Sequence, residues 1–176
     1  ARFLGLTTAS QGQMLTVTMP FDQKLIGTVD RRLGQERVDI TPQDKPATID
    51  ILVENTGRVN YSHAIRTEQT GLTGAVTLDG RVLRDWRMYR LPIDDVAKLP
   101  MTAEPCSGPC FYEVEMTVDR PGDTYLDMRG AHKGQLWLGE HNLGRFWSIG
   151  PVHTLYTPAP WMQAGVNKIR FFDLTG

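Results

Sequence analysis

No stretch of the chain approaches the roughly 20 consecutive apolar residues that a membrane-crossing helix needs, and the opening Ala1-Arg2-Phe3-Leu4-Gly5 lacks a signal peptide's basic, apolar and small-residue layout. Charge of one sign is also missing. With 19 Lys and Arg against 20 Asp and Glu, the chain lacks the cationic footprint that nucleic acid or an anionic membrane selects, so neutral partners are expected. Cysteine is nearly absent: only Cys106 and Cys110 occur, separated by Ser107-Gly108-Pro109. A zinc site is not expected, because no second ligand pair stands at a suitable spacing. A Gly-Pro turn can bring two Cα atoms within disulfide reach, so a loop disulfide and two free thiols both remain open. Closing so short a loop would stabilise little.

Helical periodicity is scarce as well. The best candidate is Ile93-Asp94-Asp95-Val96-Ala97-Lys98-Leu99, stopped by Pro100, with its two aspartates suited to the positive end of a helix dipole. Nucleophile–base motifs and phosphate loops are missing, so a free-standing enzyme is not expected and no cofactor is implied. The chain does not begin with Met, which reads as a processed or excised polypeptide.

What is present is strand signal. Over 176 residues, 40% of them hydrophobic, there is enough apolar surface for a real core. Period-two alternation runs through residues 13–19, 25–29, 47–54, 74–78, 111–118, 124–128, 135–138 and 168–174, each bounded by Gly, Pro, Asn or Asp. Many short strands between turn signals predict an all-β protein of sandwich or jelly-roll type. Between Leu91 and Pro109 the sequence turns Pro-rich and loses alternation. The expected division is a first β-sandwich at 1–95, a linker at 96–109 and a second at 110–176. A weak internal duplication is also expected, matching Leu25 to Arg32 with Leu136 to Arg145. The densest motif is Leu143-Gly144-Arg145-Phe146-Trp147-Ser148-Ile149-Gly150-Pro151, which reads as turn chemistry around a rigid aromatic surface.

These residues carry a family resemblance. Gly108-Pro109-Cys110-Phe111-Tyr112, Asp119 to Met128, Lys133-Gly134-Gln135-Leu136-Trp137, and Asn142 to Trp147 with Gly150-Pro151 and Thr154-Leu155-Tyr156 resemble the C-terminal jelly roll of glycoside hydrolase family 35 β-galactosidases. Gly27 to Arg31, Ile51 to Tyr61, Gly71 to Gly74 and Trp86 to Pro92 resemble the preceding β domain of the same enzymes. The resemblance implies two galactose-binding-domain-like jelly rolls, the first incomplete at its N-terminus. The chain departs from the family at Ala131-His132 before Lys133-Gly134, at Gly139-Glu140, and at Val152-His153 after the Gly-Pro.

The family's chemistry sits on an α/β barrel, where two glutamates about 5 Å apart serve a retaining mechanism. Such a barrel takes roughly 250 residues of alternating strand and helix, and none fits here. The resemblance therefore implies a non-catalytic C-terminal fragment or subunit. Its partners would be the catalytic barrel of the same enzyme and a galactose-containing carbohydrate, in a secreted, periplasmic or lysosomal setting. Tyr61 would reach the galactoside pocket, with Arg58 and Asn60 fixing its loop; alternatively those residues only hold a hairpin.

Trp147 is the next sugar-contact candidate, since an exposed indole stacks on a sugar face, against a packed corner with Arg145. Trp137 reads as core. His132, His141 and His153 have no metal-ligand spacing. Two other functions remain open, an independent carbohydrate-binding module and a purely structural brace.

Overall fold

In the computed structural model the period-two segments become antiparallel strands, and residues 2–6, 14–19, 24–42, 46–54 and 59–176 are described. The contacts divide the chain into two units, Ala1–Tyr89 and Arg90–Gly176. Residues 90–109 thus count with the second unit.

The first unit holds β1 (Arg2–Gly5), β2 (Met14–Met19), β3 (Lys24–Asp30), β4 (Arg37–Ile40), β5 (Asp50–Glu54), the short helix α1 (Ala64–Thr67), β6 (Thr77–Leu78) and β7 (Arg81–Val82). They form a sheet of order β4-β1-β6-β7 and one of order β3-β2-β5. Buried Leu6, Val29, Val38, Ile40 and Val76 make the core, with Ile26, Ile51, Leu72 and Leu83 among the residues packed around it.

Local chemistry fixes the ends. Asp79 and Gly80 both take positive φ, 50° and 78°, and so join β6 to β7 as the primed two-residue turn that suits strand twist. The buried Asp30 carboxylate caps the 3-10 turn Arg31–Leu33 by accepting from the Arg32 backbone N–H at 2.9 Å, and also receives its guanidinium. A Cβ on Gly27 would stand 2.8 Å from Val38 Cγ1, so β3 and β4 approach through the missing side chain. Residues 47–49, expected to be strand, lie outside β5 because the ladder with β2 ends at the Thr18–Asp50 pair.

The second unit holds β8 (Cys110–Val118), β9 (Thr124–Asp127), β10 (Lys133–Leu138), β11 (His141–Trp147), β12 (Thr154–Thr157) and β13 (Gly165–Asp173). A sheet of order β11-β10-β13-β8 faces the pair β12-β9. Leu136, Phe146 and Leu155 fill the interior, with Leu126, Leu143, Ile169 and Phe171 against them. The architecture is that of a β-sandwich in both units.

The Leu143–Trp147 motif, expected as turn chemistry, is mostly strand. Gly139, at φ 57°, opens the two-residue turn into β11, and the register with β10 slips by one residue at Leu143-Gly144. Gly144 absorbs that bulge at φ 115°, which breaks the alternation a reader would follow. The expected helix over 93–99 is only the 3-10 turn Val96–Lys98. Its Val96 is buried, and Arg170 of β13 donates to the carbonyls of Val96 and Leu99 while pairing with Glu113 of β8 at 2.5 Å. The segments matched as an internal duplication are not equivalent. Gly27 lies within β3, whereas Gly139 turns a hairpin.

Candidate functional site

Of the residues singled out from sequence, Asn60 and Tyr61 lie in the first unit and Trp147 in the second. Arg58 lies outside the described residues. Tyr61 is 83% exposed, at the head of a loop that leads into α1. The loop is tied at its base by the Val59 N–H, which donates to Glu68 Oε2 at 2.9 Å. At its tip Ser62 takes φ 77°, and its hydroxyl accepts from the Ala64 N–H at 3.3 Å. A positive φ at a residue with a side chain is costly and marks a position the local structure enforces. The loop therefore presents Tyr61 and Asn60 outward.

Trp147 is set differently. It pairs across the strands with Lys133, a buried lysine whose ammonium sits 4.1 Å from the ring centroid. That cation–π contact covers one face of the indole and makes Trp147 part of the packing, while Arg145 is exposed. Trp137 is buried. Trp161 stacks on His141, with centroids 4.5 Å apart and planes at 12°, and Trp86 donates its indole N–H to the Leu83 carbonyl at 3.1 Å.

The family-like glycines and acids have structural work. A Cβ on Gly134 would run into the Phe172 carbonyl, so only glycine lets β10 and β13 meet there. Buried Asp173 accepts the His132 N–H at 2.7 Å and both the N–H and hydroxyl of Thr175, at 2.9 and 3.0 Å. Cys106 and Cys110 face each other as a disulfide across their turn, with Cα atoms 6.3 Å apart.

Carboxylate electrostatics bear on chemistry. Among the described residues, every carboxylate with a displaced pKa is displaced downward. Hydrogen bonding from Lys98 holds Asp95 down, Arg170 and then Lys168 hold Glu113 down, and Arg129 holds Asp127 at about 2. The described residues also contain no cluster of His, Cys, Asp or Glu able to hold a metal ion. No helix among them is long and apolar enough to cross a membrane.

Sequence reading passed over one aromatic pair. Tyr125 of β9 and Tyr156 of β12 are direct cross-strand partners, with ring centroids 5.6 Å apart. Their exposure was legible from alternation: Leu126 and Leu155 take the core positions, so their neighbours must point out.

Two sandwiches of this kind define a pair of all-β domains. The comparisons give them a family. Residues 9–92 match the family model described as β-galactosidase, first all-beta domain, and residues 109–167 match β-galactosidase, galactose-binding domain. The chain belongs to the β-galactosidase family, of which it represents these two all-β domains. It is 38% identical over 136 residues to a β-galactosidase of Xanthomonas manihotis, covering 77% of this chain and 23% of that protein. It is 35% identical over 160 residues to β-galactosidase-1-like protein 3 of Rattus norvegicus, covering 86% and 25%. With β-galactosidase-1-like protein 2 of Homo sapiens the identity is 37% over 136 residues, covering 71% and 21%. In each case the matched region spans a quarter or less of the relative's length.

Proposed function

We propose that the chain is the non-catalytic β-domain portion of a β-galactosidase-like glycoside hydrolase, that it packs on the catalytic barrel, and that Tyr61 helps to shape the galactoside pocket there. The supporting observation is surface left uncovered on the first unit. Besides Tyr61, Met88 is 94% and Tyr89 77% exposed, next to exposed Trp86 and Arg87. Large apolar side chains clustered in sequence and open to water are the mark of a surface meant for another protein face. A tyrosine held on a strained loop is suited to supply a wall and a hydroxyl to a pocket built mostly by the partner, with Asn60 and Arg58 fixing its loop. In this reading the occupant of that pocket is a galactose-containing carbohydrate, and the location is secreted, periplasmic or lysosomal, where the Cys106–Cys110 pair would stay oxidised.

Complementation tests it. The Xanthomonas manihotis enzyme shortened by its matching segment should regain galactoside hydrolysis on mixing with this chain. Tyr61→Ala should cut the regained activity at least tenfold, and Tyr61→Phe much less. Enzyme-like hydrolysis by the chain alone, or full rescue by Tyr61→Ala, would overturn the reading.

A further inference from the structure

The back of the four-stranded sheet in the second unit holds a cavity of about 390 Å³, within the roughly 300–1,000 Å³ that ligand pockets occupy. Its floor is Trp137 of β10, 3% exposed. Alternation along β10 sends Leu136 into the sandwich core and Trp137 to the opposite face, against Phe111 of β8 with ring centroids 6.2 Å apart. No group of the described residues accepts the indole N–H of Trp137, which is left to the cavity. Buried donors are ordinarily satisfied, so this one is open to a ligand. Two tied walls flank it. One is the strap, where Arg170 donates to the carbonyls of Val96 and Leu99 and Lys98 Nζ pairs with Asp95 at 2.5 Å. The other is the β10–β11 turn, where the Gly139 N–H donates to the Lys168 carbonyl at 2.8 Å and His141 stacks on Trp161. From these walls Asp94, Asp95, Glu140 and His141 line the space. The nearby cations are already engaged, Lys98 by Asp95 and Arg170, the cross-strand partner of Trp137, by Glu113. Asp94 and Glu140 have no ion pair among the described residues.

We infer that this cavity binds a primary ammonium with a carbonyl beside it, the chemistry of the free amino end of a peptide. The ammonium goes to Asp94 and Glu140, whose charges are uncompensated, and the first carbonyl accepts from the Trp137 N–H. An ammonium has three donors and no acceptor, so it matches two carboxylates but cannot satisfy the indole. The neighbouring carbonyl can. An α-amino group stays largely protonated at neutral pH, whereas a free carboxylate on the same ligand would be repelled by the acidic walls, so a peptide amide suits the site better than an amino acid. A phosphate is excluded for the same reason. A metal ion does not fit, since the described residues hold no cluster able to ligate one, and a neutral ligand would leave both carboxylate charges unbalanced. Capture of an amino end by polar groups already fixed in place is an established mode of peptide recognition, and walls tied before binding lower its entropic cost. The site lies wholly in the second unit and goes beyond the reading above, sharing no residue with the surface assigned there to the barrel.

The test uses the 176-residue chain, titrated with trialanine amide while the indole N–H resonance of Trp137 is followed by NMR. A saturable shift with a Kd on the order of 1 mM is expected. N-acetyl-trialanine amide, which lacks the charge, should leave the resonance in place. Isopropylamine, which keeps the charge but offers no carbonyl, should bind about fivefold more weakly, and alaninamide about threefold more weakly than the peptide. Asp94→Asn and Glu140→Gln should each weaken trialanine amide about fivefold, the worth of a partly exposed ion pair. Both side chains are exposed, so the rest of the backbone spectrum should be retained. Absence of a saturable shift with trialanine amide, equal binding of its acetylated form, or unchanged affinity in the Asp94→Asn, Glu140→Gln double variant would overturn the inference. So would a shift of this resonance with methyl β-galactoside and none with the peptide. Binding of alaninamide as tight as that of the peptide would assign the cavity to a free small amine and overturn the peptide end as its occupant.

Discussion

The two units of the chain solve the same problem, a β-sandwich core, with different degrees of closure. In the second, the sheet's back is covered from within the unit. Arg170 reaches across Glu113 to the carbonyls of Val96 and Leu99, and Asp173 binds the entry to β10 and the chain end together. In the first, the described core residues are aliphatic, Leu6, Val29, Val38, Ile40 and Val76, and the segment after β7 leaves Trp86, Met88 and Tyr89 exposed. The difference teaches where each fold ends. The second unit ties its own ends with polar groups, whereas the first leaves Trp86, Met88 and Tyr89 open to water, the surface proposed above to meet a partner.

The sharpest way to break this comparison is a cavity in the second unit. Phe146 is fully buried between Leu136 and Phe171, so Phe146→Ala should cost about 3–5 kcal/mol, read as a lower denaturation midpoint with unchanged slope. Next, Arg170→Leu should free the 94–99 segment. Hydrogen-exchange protection of the Lys98 and Leu99 amides, which donate to Asp95 and Val96, should fall by an order of magnitude or more, while β10 and β13 keep theirs. If protection across β10 falls equally, the segment is integral to the core and not a strap upon it.

The first unit is probed from outside. A Met88→Ser, Tyr89→Ser double variant should leave stability within about 0.5 kcal/mol per site yet reduce self-association of the isolated chain, measured by sedimentation. Unchanged self-association would remove these side chains from any docking face.

The smallest effect concerns pH. Arg129 holds the Asp127 pKa at about 2, below the ordinary value near 3.9. A depressed carboxyl contributes stability above its unfolded pKa and loses it as pH falls through the folded one. The stabilisation is therefore present above about pH 4 and gone near pH 2. The pair is exposed, so the change is small, and Asp127→Asn should abolish that part of the acid transition.

Much of the scaffold was legible because alternation survives wherever a strand is long and its ladder unbroken, as in β8 and β13. It failed where a backbone irregularity resets the period. Gly144 hides β11 by its bulge, and short strands such as β4 and β7 carry too few residues to show a pattern. The site was legible only in part. The sequence marks Tyr61 and Trp147 as equally aromatic and equally near Gly and Arg. What separates them is that β10 runs Lys133 alongside Trp147 and lays a cation on its ring, a consequence of register and not of composition. The tyrosine pair was readable from alternation in principle, but only once β9 and β12 are known to be neighbours.

The strap formed by Val96 and Arg170 also decides how the protein can be cut. A second domain excised from Cys110 onward would lose the buried Val96 and leave the Arg170 guanidinium without its two carbonyl acceptors. A cut at Tyr89–Arg90 would keep both. The workable seam for dissecting this chain therefore lies some twenty residues ahead of β8, before the stretch that composition alone would discard as linker.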